Sequence, residues 1–85
     1  MKDHFCRVCG LYIEDKPWGD DGNSPNYEFC SCYGVEFGNE DYIVESTIDS
    51  RKKWVANGAK WFRLKEKPEK WDLEKQMENI PDEYK

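Results

Sequence analysis

The sequence predicts a small α+β fold, in which a β-ribbon carrying two cysteine knuckles packs against two short helices. Three observations predict it: two close pairs of cysteines in the first half, short alternating segments beside each pair, and helix-like segments in the second half. With 85 residues, the chain is expected to form a single domain. It divides into a ribbon half, residues 1–46, and a helical half, residues 47–85.

The cysteines are the most informative residues. They form a first knuckle (residues 6–10, Cys6-Arg-Val-Cys9-Gly10) and a second knuckle (residues 30–34, Cys30-Ser-Cys32-Tyr33-Gly34). In a chain without a visible secretory signal, such pairs favour a metal site over disulfides. Thiolates are soft donors and structural zinc takes four of them, so the expected cofactor is a structural Zn²⁺. A tight turn around a metal also tends to need a residue with positive φ, which explains the two glycines.

The second knuckle is irregular. Alignment of the two knuckles puts Tyr33 where the last cysteine should fall, so that Cys32 is one residue early. The fourth ligand must then come from Cys32 in a distorted turn or from elsewhere, and the single histidine, His4, could supply it. We predict Cys32, because ordering a ligand close to the N-terminus costs conformational entropy. The predicted ligands are therefore Cys6, Cys9, Cys30 and Cys32; the alternative is a pair of knuckles that has lost its metal.

These motifs resemble a known family. The run Cys30-Ser-Cys-Tyr-Gly-Val-Glu-Phe-Gly38, with Cys6-x-x-Cys-Gly10 and Pro17-Trp-Gly19, resembles small bacterial cysteine-rich proteins of the CPCC type. The resemblance covers residues 5–42 and is thinner beyond them. It implies a zinc-ribbon-like domain, whereas it implies no function, since most such proteins have no assigned activity. They typically have Cys-x-Cys-Cys-Gly at the second knuckle, from which Tyr33 departs.

The remaining elements follow from local patterns. Residues 11–14 and 27–30 are predicted strands, and residues 59–64 a third strand or extended arm. A first helix is expected from a cap at Thr47 or Ser50 to Asn57, ending at Gly58. A second is expected from about Pro68 to Asn79. The first helix should present Ile48, Val55 and Trp54 to the core, and Arg51, Lys52 and Lys53 to solvent. The expected core anchors are Trp18, Trp54, Trp61 and Trp71.

Charge is distributed unevenly along the chain. Residues 1–46 carry ten acidic and three basic side chains, whereas residues 47–85 carry eight acidic and ten basic ones. The acidic half could present a negative face to a basic partner protein, with Asp20, Asp21, Glu40 and Asp41 as the predicted contact residues. One concrete form of this hypothesis is an immunity protein that blocks a basic toxin. The alternative is that the acidic residues only keep a small aromatic-rich domain soluble.

Nucleic-acid binding is the alternative function. Residues 51–65 contain six basic side chains and no acidic one, interleaved with Trp54, Trp61 and Phe62. Basic grooves lined with aromatic side chains bind single strands. Against this interpretation, the net charge is −5, and the aromatic residues are needed for the core.

An enzyme is not expected. A reactive Cys-x-x-Cys pair needs its first thiol at a helix N-terminus, whereas here a glycine and a predicted strand follow. No nucleophile has a recognisable histidine and carboxylate partner. The sequence also shows neither a membrane span nor a signal peptide, so a cytoplasmic location is expected.

Overall fold

The computed structural model describes residues 3–85 and contains two α-helices. Helix α1 spans Val44–Ala56 and helix α2 spans Leu73–Met77; two short 3₁₀ turns span Leu64–Glu66 and Asp82–Tyr84. Within the described part of the chain, no β-strand forms. The only β-type pairing there consists of two isolated antiparallel bridges, Phe5 with Tyr12 and Phe29 with Glu36.

The predicted α+β fold with a zinc-ribbon-like β-ribbon is therefore wrong. Each predicted strand pairs at one position or at none, because the backbone leaves the extended conformation close by. Tyr27 has φ of 60° at the start of the predicted second strand, and Ala59 has φ of 49° at the start of the third. Left-handed conformations at non-glycine residues interrupt the pleat that a ladder needs. The ribbon half is built from turns.

The two knuckles repeat the same backbone hydrogen bonds at an offset of 24 residues. In each, the first cysteine donates its amide to the residue five positions on and accepts from the glycine four positions on, over distances of 2.8–2.9 Å. These pairs are Cys6–Leu11 and Gly10–Cys6 in the first knuckle, and Cys30–Val35 and Gly34–Cys30 in the second. Gly10 has φ of 81° and Gly34 has φ of 90°, which confirms the expected need for positive φ.

Helix α1 begins earlier than predicted and ends where expected. The Thr47 hydroxyl donates back to the Ile43 carbonyl from inside the helix, so Thr47 does not cap the N-terminus. At the other end, Gly58 N–H bonds Val55 O and Ala59 N–H bonds Trp54 O, which is the Schellman arrangement.

The face of α1 that packs inward also differs from the prediction. It carries Thr47 and Trp54, both buried, with the half-buried Arg51 between them. These positions follow the i, i+4, i+7 spacing of one helix face. Val55, expected to be on the core face, is 40% exposed.

Helix α2 is shorter than the predicted second helix because its start is fixed at Asp72, whose side chain accepts a hydrogen bond from Lys75 N. It lies directly on the first knuckle. A Cβ atom at Gly10 would lie 2.2 Å from the Gln76 carbonyl oxygen, so only glycine allows this approach.

The cysteines lie in the core. A cluster of buried residues combines all four with Val8, Val35, Phe37, Trp54, Ala59 and Trp61. Among the predicted anchors, Trp18, Trp54 and Trp61 are buried, and Trp71 is partly buried against this cluster. In the described residues, no helix is long and apolar enough to cross a membrane.

Candidate metal centre

Both knuckles deliver cysteine sulfurs to one buried point. The sulfurs of Cys6, Cys9 and Cys30 all lie within 4.8 Å of one another, and the three residues are fully buried. Cys9 Sγ and Cys30 Sγ are 3.5 Å apart, and this contact joins the first knuckle to the second. Three close thiols form a donor set that could hold a soft metal ion. The predicted metal-compatible cysteine cluster is therefore confirmed for these three residues.

Cys32 lies beside this cluster. It is fully buried, but it does not belong to the group of sulfurs that lie within 4.8 Å of one another. The side chain of Gln76 also reaches it, with Nε2 donating to Cys32 Sγ over 3.3 Å. Its assignment as the fourth ligand stays a prediction.

A backbone amide also points at one of the sulfurs. Tyr33 N–H donates to Cys30 Sγ over 3.4 Å. Tyr33 occupies the position of Cys9 in the repeat, so at this position the second knuckle offers Cys30 an amide donor but no thiol. The Tyr33 side chain is used elsewhere, since its hydroxyl donates to Glu40 over 2.9 Å.

Burial and hydrogen bonding move the thiol pKa values in opposite directions. Burial raises the pKa of the Cys6 and Cys9 thiols well above the usual value, because a buried thiolate loses its hydration. The pKa of Cys30 is lowered to about 3, because the Cys6 and Cys9 thiols donate hydrogen bonds to its sulfur. A metal ion is bound by thiolates, so it would replace these shared protons and stabilise the charged form.

A basic side chain from α1 lies next to this cluster. The Arg51 guanidinium donates to three backbone carbonyls, those of Arg7, Val8 and Tyr84. Burial lowers the pKa of Arg51, whereas the charges of Cys6 and Cys9 oppose that shift. The assignment of Arg51 to the solvent face is therefore wrong; Lys52 and Lys53 are exposed as expected.

His4 is used outside the cysteine cluster. Its Nδ1 lies 2.9 Å from the Ile13 carbonyl oxygen, which fits a donating N–H, and its ring stacks on Tyr12 with 5.2 Å between the centroids. It does not belong to the group of close metal-ligating atoms found in residues 3–85.

The four acidic residues predicted to contact a partner occupy different environments. Asp20, Asp21 and Glu40 are exposed, but Asp41 is fully buried. The Asp41 carboxylate accepts hydrogen bonds from Trp18 Nε1 over 3.2 Å and from Gly38 N over 2.9 Å. Burial raises its pKa. Asp41 holds the Trp18 loop in place and does not face a partner in this structure.

A surface cleft of about 810 Å³ gathers acidic residues from three parts of the chain. It is lined by Asp20 and Asp21 from the loop after Trp18, by Asp3, and by Asp82 and Glu83 from the C-terminal turn. Proximity in sequence indicated Asp20 and Asp21 only. Asp82 and Glu83 lie about sixty residues further along the chain than Asp20 and Asp21, so no local sequence pattern indicates that these residues share a cleft.

Arg7 closes one side of this cleft. Its guanidinium lies 3.8 Å from the centroid of the Trp18 ring and 4.4 Å from that of Tyr84, between the two rings. It also donates to the Asp41 and Gly22 carbonyls. The sequence analysis did not identify this residue, which ties the first knuckle to both walls of the cleft.

The basic segment of residues 51–65 is divided between core and surface. Trp54 and Trp61 are buried, so they are not available for stacking on bases. Phe62 is 55% exposed and stacks on Phe29, which is 44% exposed, with 6.0 Å between the ring centroids. The Arg63 guanidinium lies 5.7 Å from the Phe62 centroid.

Comparison of the chain with protein-family models, curated proteins and solved structures found no match in any of the three. The resemblance to CPCC-type proteins therefore stays a prediction from the motifs.

Proposed function

We propose that this protein is a non-enzymatic zinc-binding domain that acts by binding another protein. In this proposal Cys6, Cys9, Cys30 and Cys32 hold one structural Zn²⁺. The observation that supports it is that three fully buried sulfurs, contributed by the two knuckles, all lie within 4.8 Å of one another. Zinc is favoured because it accepts four thiolates tetrahedrally. Four protein ligands leave no open position for a catalytic water, which agrees with a structural role.

The first experiment is elemental analysis of protein purified without added metal. We expect close to one zinc per chain, and we expect removal by a chelator to unfold the domain. Structural zinc contributes roughly 10–16 kcal/mol of apparent binding free energy, which is comparable to the whole stability of a small domain, about 5–15 kcal/mol. Cys6→Ser should act like the chelator, whereas the matched control Ser24→Ala should keep both metal and fold. A folded protein without stoichiometric metal would exclude the zinc site.

The partner surface in this proposal is the acidic cleft. Carboxylates from Asp3, Asp20, Asp21, Asp82 and Glu83 line it, and a basic protein segment is the complementary occupant. An immunity-type protein that neutralises a basic toxin is the concrete form that we favour. Exposed charges are screened over about 8 Å at physiological ionic strength, so association should slow steeply with salt.

The test measures association with a basic protein probe, such as a positively charged nuclease, at several salt concentrations. Asp20→Lys combined with Asp21→Lys should slow association without unfolding the domain. Glu45→Lys combined with Asp49→Lys, on the exposed side of α1, is the control with the same change in charge. If both pairs of substitutions slow association equally, the cleft is not the docking site.

Single-stranded nucleic acid is the second candidate, and one observation favours it. The stacked and half-exposed Phe29 and Phe62 rings, with Arg63 beside them, form a surface on which a base could stack. A gel shift with single-stranded DNA and RNA at low salt tests it. Binding that disappears in Phe62→Ala, but persists in the control Tyr42→Ala, would favour this function over the protein-binding one.

A further inference from the structure

Gln76 connects the C-terminal helix to the cysteine cluster. Its Nε2 donates to Cys32 Sγ over 3.3 Å and to the Cys9 carbonyl over 3.1 Å, so one amide group contacts both knuckles. Its Oε1 accepts a hydrogen bond from Trp71 Nε1 over 2.8 Å. This bond fixes which end of the amide faces the sulfur, because an indole N–H can only donate.

Cys32 is the cysteine whose sulfur is least well positioned by the knuckle backbone. The repeat places it opposite Val8 of the first knuckle, a position where the first knuckle has no thiol. The other knuckle position, opposite Cys9, is occupied by Tyr33. Cys32 must therefore present its sulfur from a position that the knuckle itself does not direct towards a metal.

We infer that Gln76 is the positioning residue that holds Cys32 as the fourth metal ligand, and that metal binding and the docking of α2 thereby stabilise each other. This inference rests on the proposed function. The donated N–H group lies against a sulfur whose negative charge a bound metal would only partly neutralise, and such hydrogen bonds orient and stabilise metal ligands. Because the coupling is thermodynamic, it acts in both directions: an undocked α2 weakens metal binding, and metal loss releases α2.

The packing of α2 supports this coupling. The Gln76 carbonyl lies so close to Gly10 that a Cβ there would be 2.2 Å from its oxygen. The backbone of α2 is therefore seated on the first knuckle while the Gln76 side chain reaches the second. A movement of α2 of even a few tenths of an ångström would change the contact with Cys32.

The decisive substitution is Gln76→Glu. It keeps the side-chain length and the acceptor for Trp71, but it replaces the N–H donor beside Cys32 with a carboxylate oxygen. We expect the affinity for Co²⁺ and Zn²⁺ to fall by roughly 10- to 100-fold, as measured by competition with a metal-binding dye. The ligand-field absorption of bound Co²⁺ should also change. Lys75→Gln, an exposed neighbour with the same change in net charge, is the control and should leave both readouts unchanged.

A double-mutant cycle separates positioning from general destabilisation. In a Cys32→Ala background, Gln76→Glu should cause little further loss of Co²⁺ affinity, because the sulfur that it positions is absent. An equal loss in both backgrounds would show that Gln76 acts through the fold and not through Cys32, and would overturn the inference.

A second variant keeps the inference testable if Gln76→Glu does not fold. Trp71→Phe removes the indole donor that orients the Gln76 amide and keeps an aromatic ring against Trp61. It should lower Co²⁺ affinity when Cys32 is present, and cause little further loss in the Cys32→Ala background. Wild-type protein that binds no stoichiometric zinc would refute the proposed function and this inference with it. Wild-type protein that binds zinc, with unchanged affinity in the variant that folds, would overturn this inference alone.

Discussion

Arg51→Met is expected to destabilise the domain far more than substitution of the neighbouring lysines. Arg51 donates from Nε to Val8 O over 2.6 Å, and from Nη2 to Arg7 O over 2.8 Å and to the Tyr84 carbonyl. One side chain thus connects α1 to the first knuckle and to the C-terminal turn. Methionine keeps the apolar stem of the side chain and removes all three donors.

The size of the effect follows from these contacts. A hydrogen bond in a protein contributes about 1 kcal/mol net, and more when the donor is charged. Arg51 is half-buried, so we use the lower figure for each bond and expect a loss of about 3 kcal/mol. For a domain of this size, 1 kcal/mol corresponds to roughly 4–8 °C in Tm, so Tm should fall by roughly 12–24 °C.

The assay is urea and thermal unfolding followed by circular dichroism at one fixed concentration of free zinc, since bound metal shifts apparent stability. Lys52→Met is the matched control; its side chain is exposed, and it should change stability by less than about 0.5 kcal/mol. Arg51→Lys keeps the charge but loses the fork of donors, so it should recover only part of the loss. Equal stability of Arg51→Met and Lys52→Met would refute the reasoning.

Three further outcomes are expected. Gly10→Ala should cost several kcal/mol more than Gly22→Ala in chemical unfolding, because both glycines have positive φ but only Gly10 has a backbone atom where the new Cβ would lie; equal costs would refute this account of Gly10. His4→Ala should leave the zinc content unchanged while Cys32→Ser lowers it, and the reverse result would make His4 the ligand. A fragment of residues 1–46 should stay unfolded with zinc present, as seen by circular dichroism, because the groups that satisfy its knuckle carbonyls are missing; a folded fragment would contradict this.

The features that were predictable from the sequence are those that depend on local geometry. The spacing of Cys6, Cys9 and Cys30 indicated a common cluster, and the glycines that end the two knuckles have the positive φ that was expected. Gly58 marked the end of α1 because a helix C-terminus favours a residue with a left-handed backbone. Each of these signals lies within a few residues of the structure that it predicts.

The predictions failed where two local signals competed. Thr47 resembles an N-cap, but its hydroxyl bonds the Ile43 carbonyl of a helix that has already begun. The alternation around Tyr27 resembles a strand, but one left-handed residue breaks it. Glu40 and Asp41 are adjacent acids with opposite environments, since one is exposed and the other is buried against Trp18. Composition cannot distinguish such neighbours.

The residues beside the cysteine cluster that the sequence did not reveal make contacts over long separations in the chain. Arg51 lies 43 residues from Val8, and Gln76 lies 67 residues from Cys9. Neither residue belongs to a motif with the atoms it contacts. Their contacts form only when α1 and α2 pack on the first knuckle.

These distant residues also explain how the chain folds without a strand ladder in its described part. Buried carbonyls need donors. In the first knuckle, the consecutive carbonyls of Arg7, Val8 and Cys9 receive them from the side chains of Arg51 and Gln76. In the second knuckle, the carbonyls of Ser31 and Cys32, which correspond to Arg7 and Val8 in the repeat, accept from the backbone amides of Arg63 and Phe62.

Residues of the second half of the chain therefore donate hydrogen bonds to equivalent carbonyls in both knuckles. The carbonyls of the first knuckle accept hydrogen bonds from side chains, whereas those of the second accept them from backbone amides. A side-chain substitution can therefore remove the donors of the first knuckle, but it can hardly remove those of the second. Because Cys6 and Cys9 lie in the first knuckle, Arg51 and Gln76 become the residues through which the helical half controls the cysteine cluster. Arg51, which the helix pattern assigned to solvent, is therefore a structural support of the first knuckle and of its two cysteines.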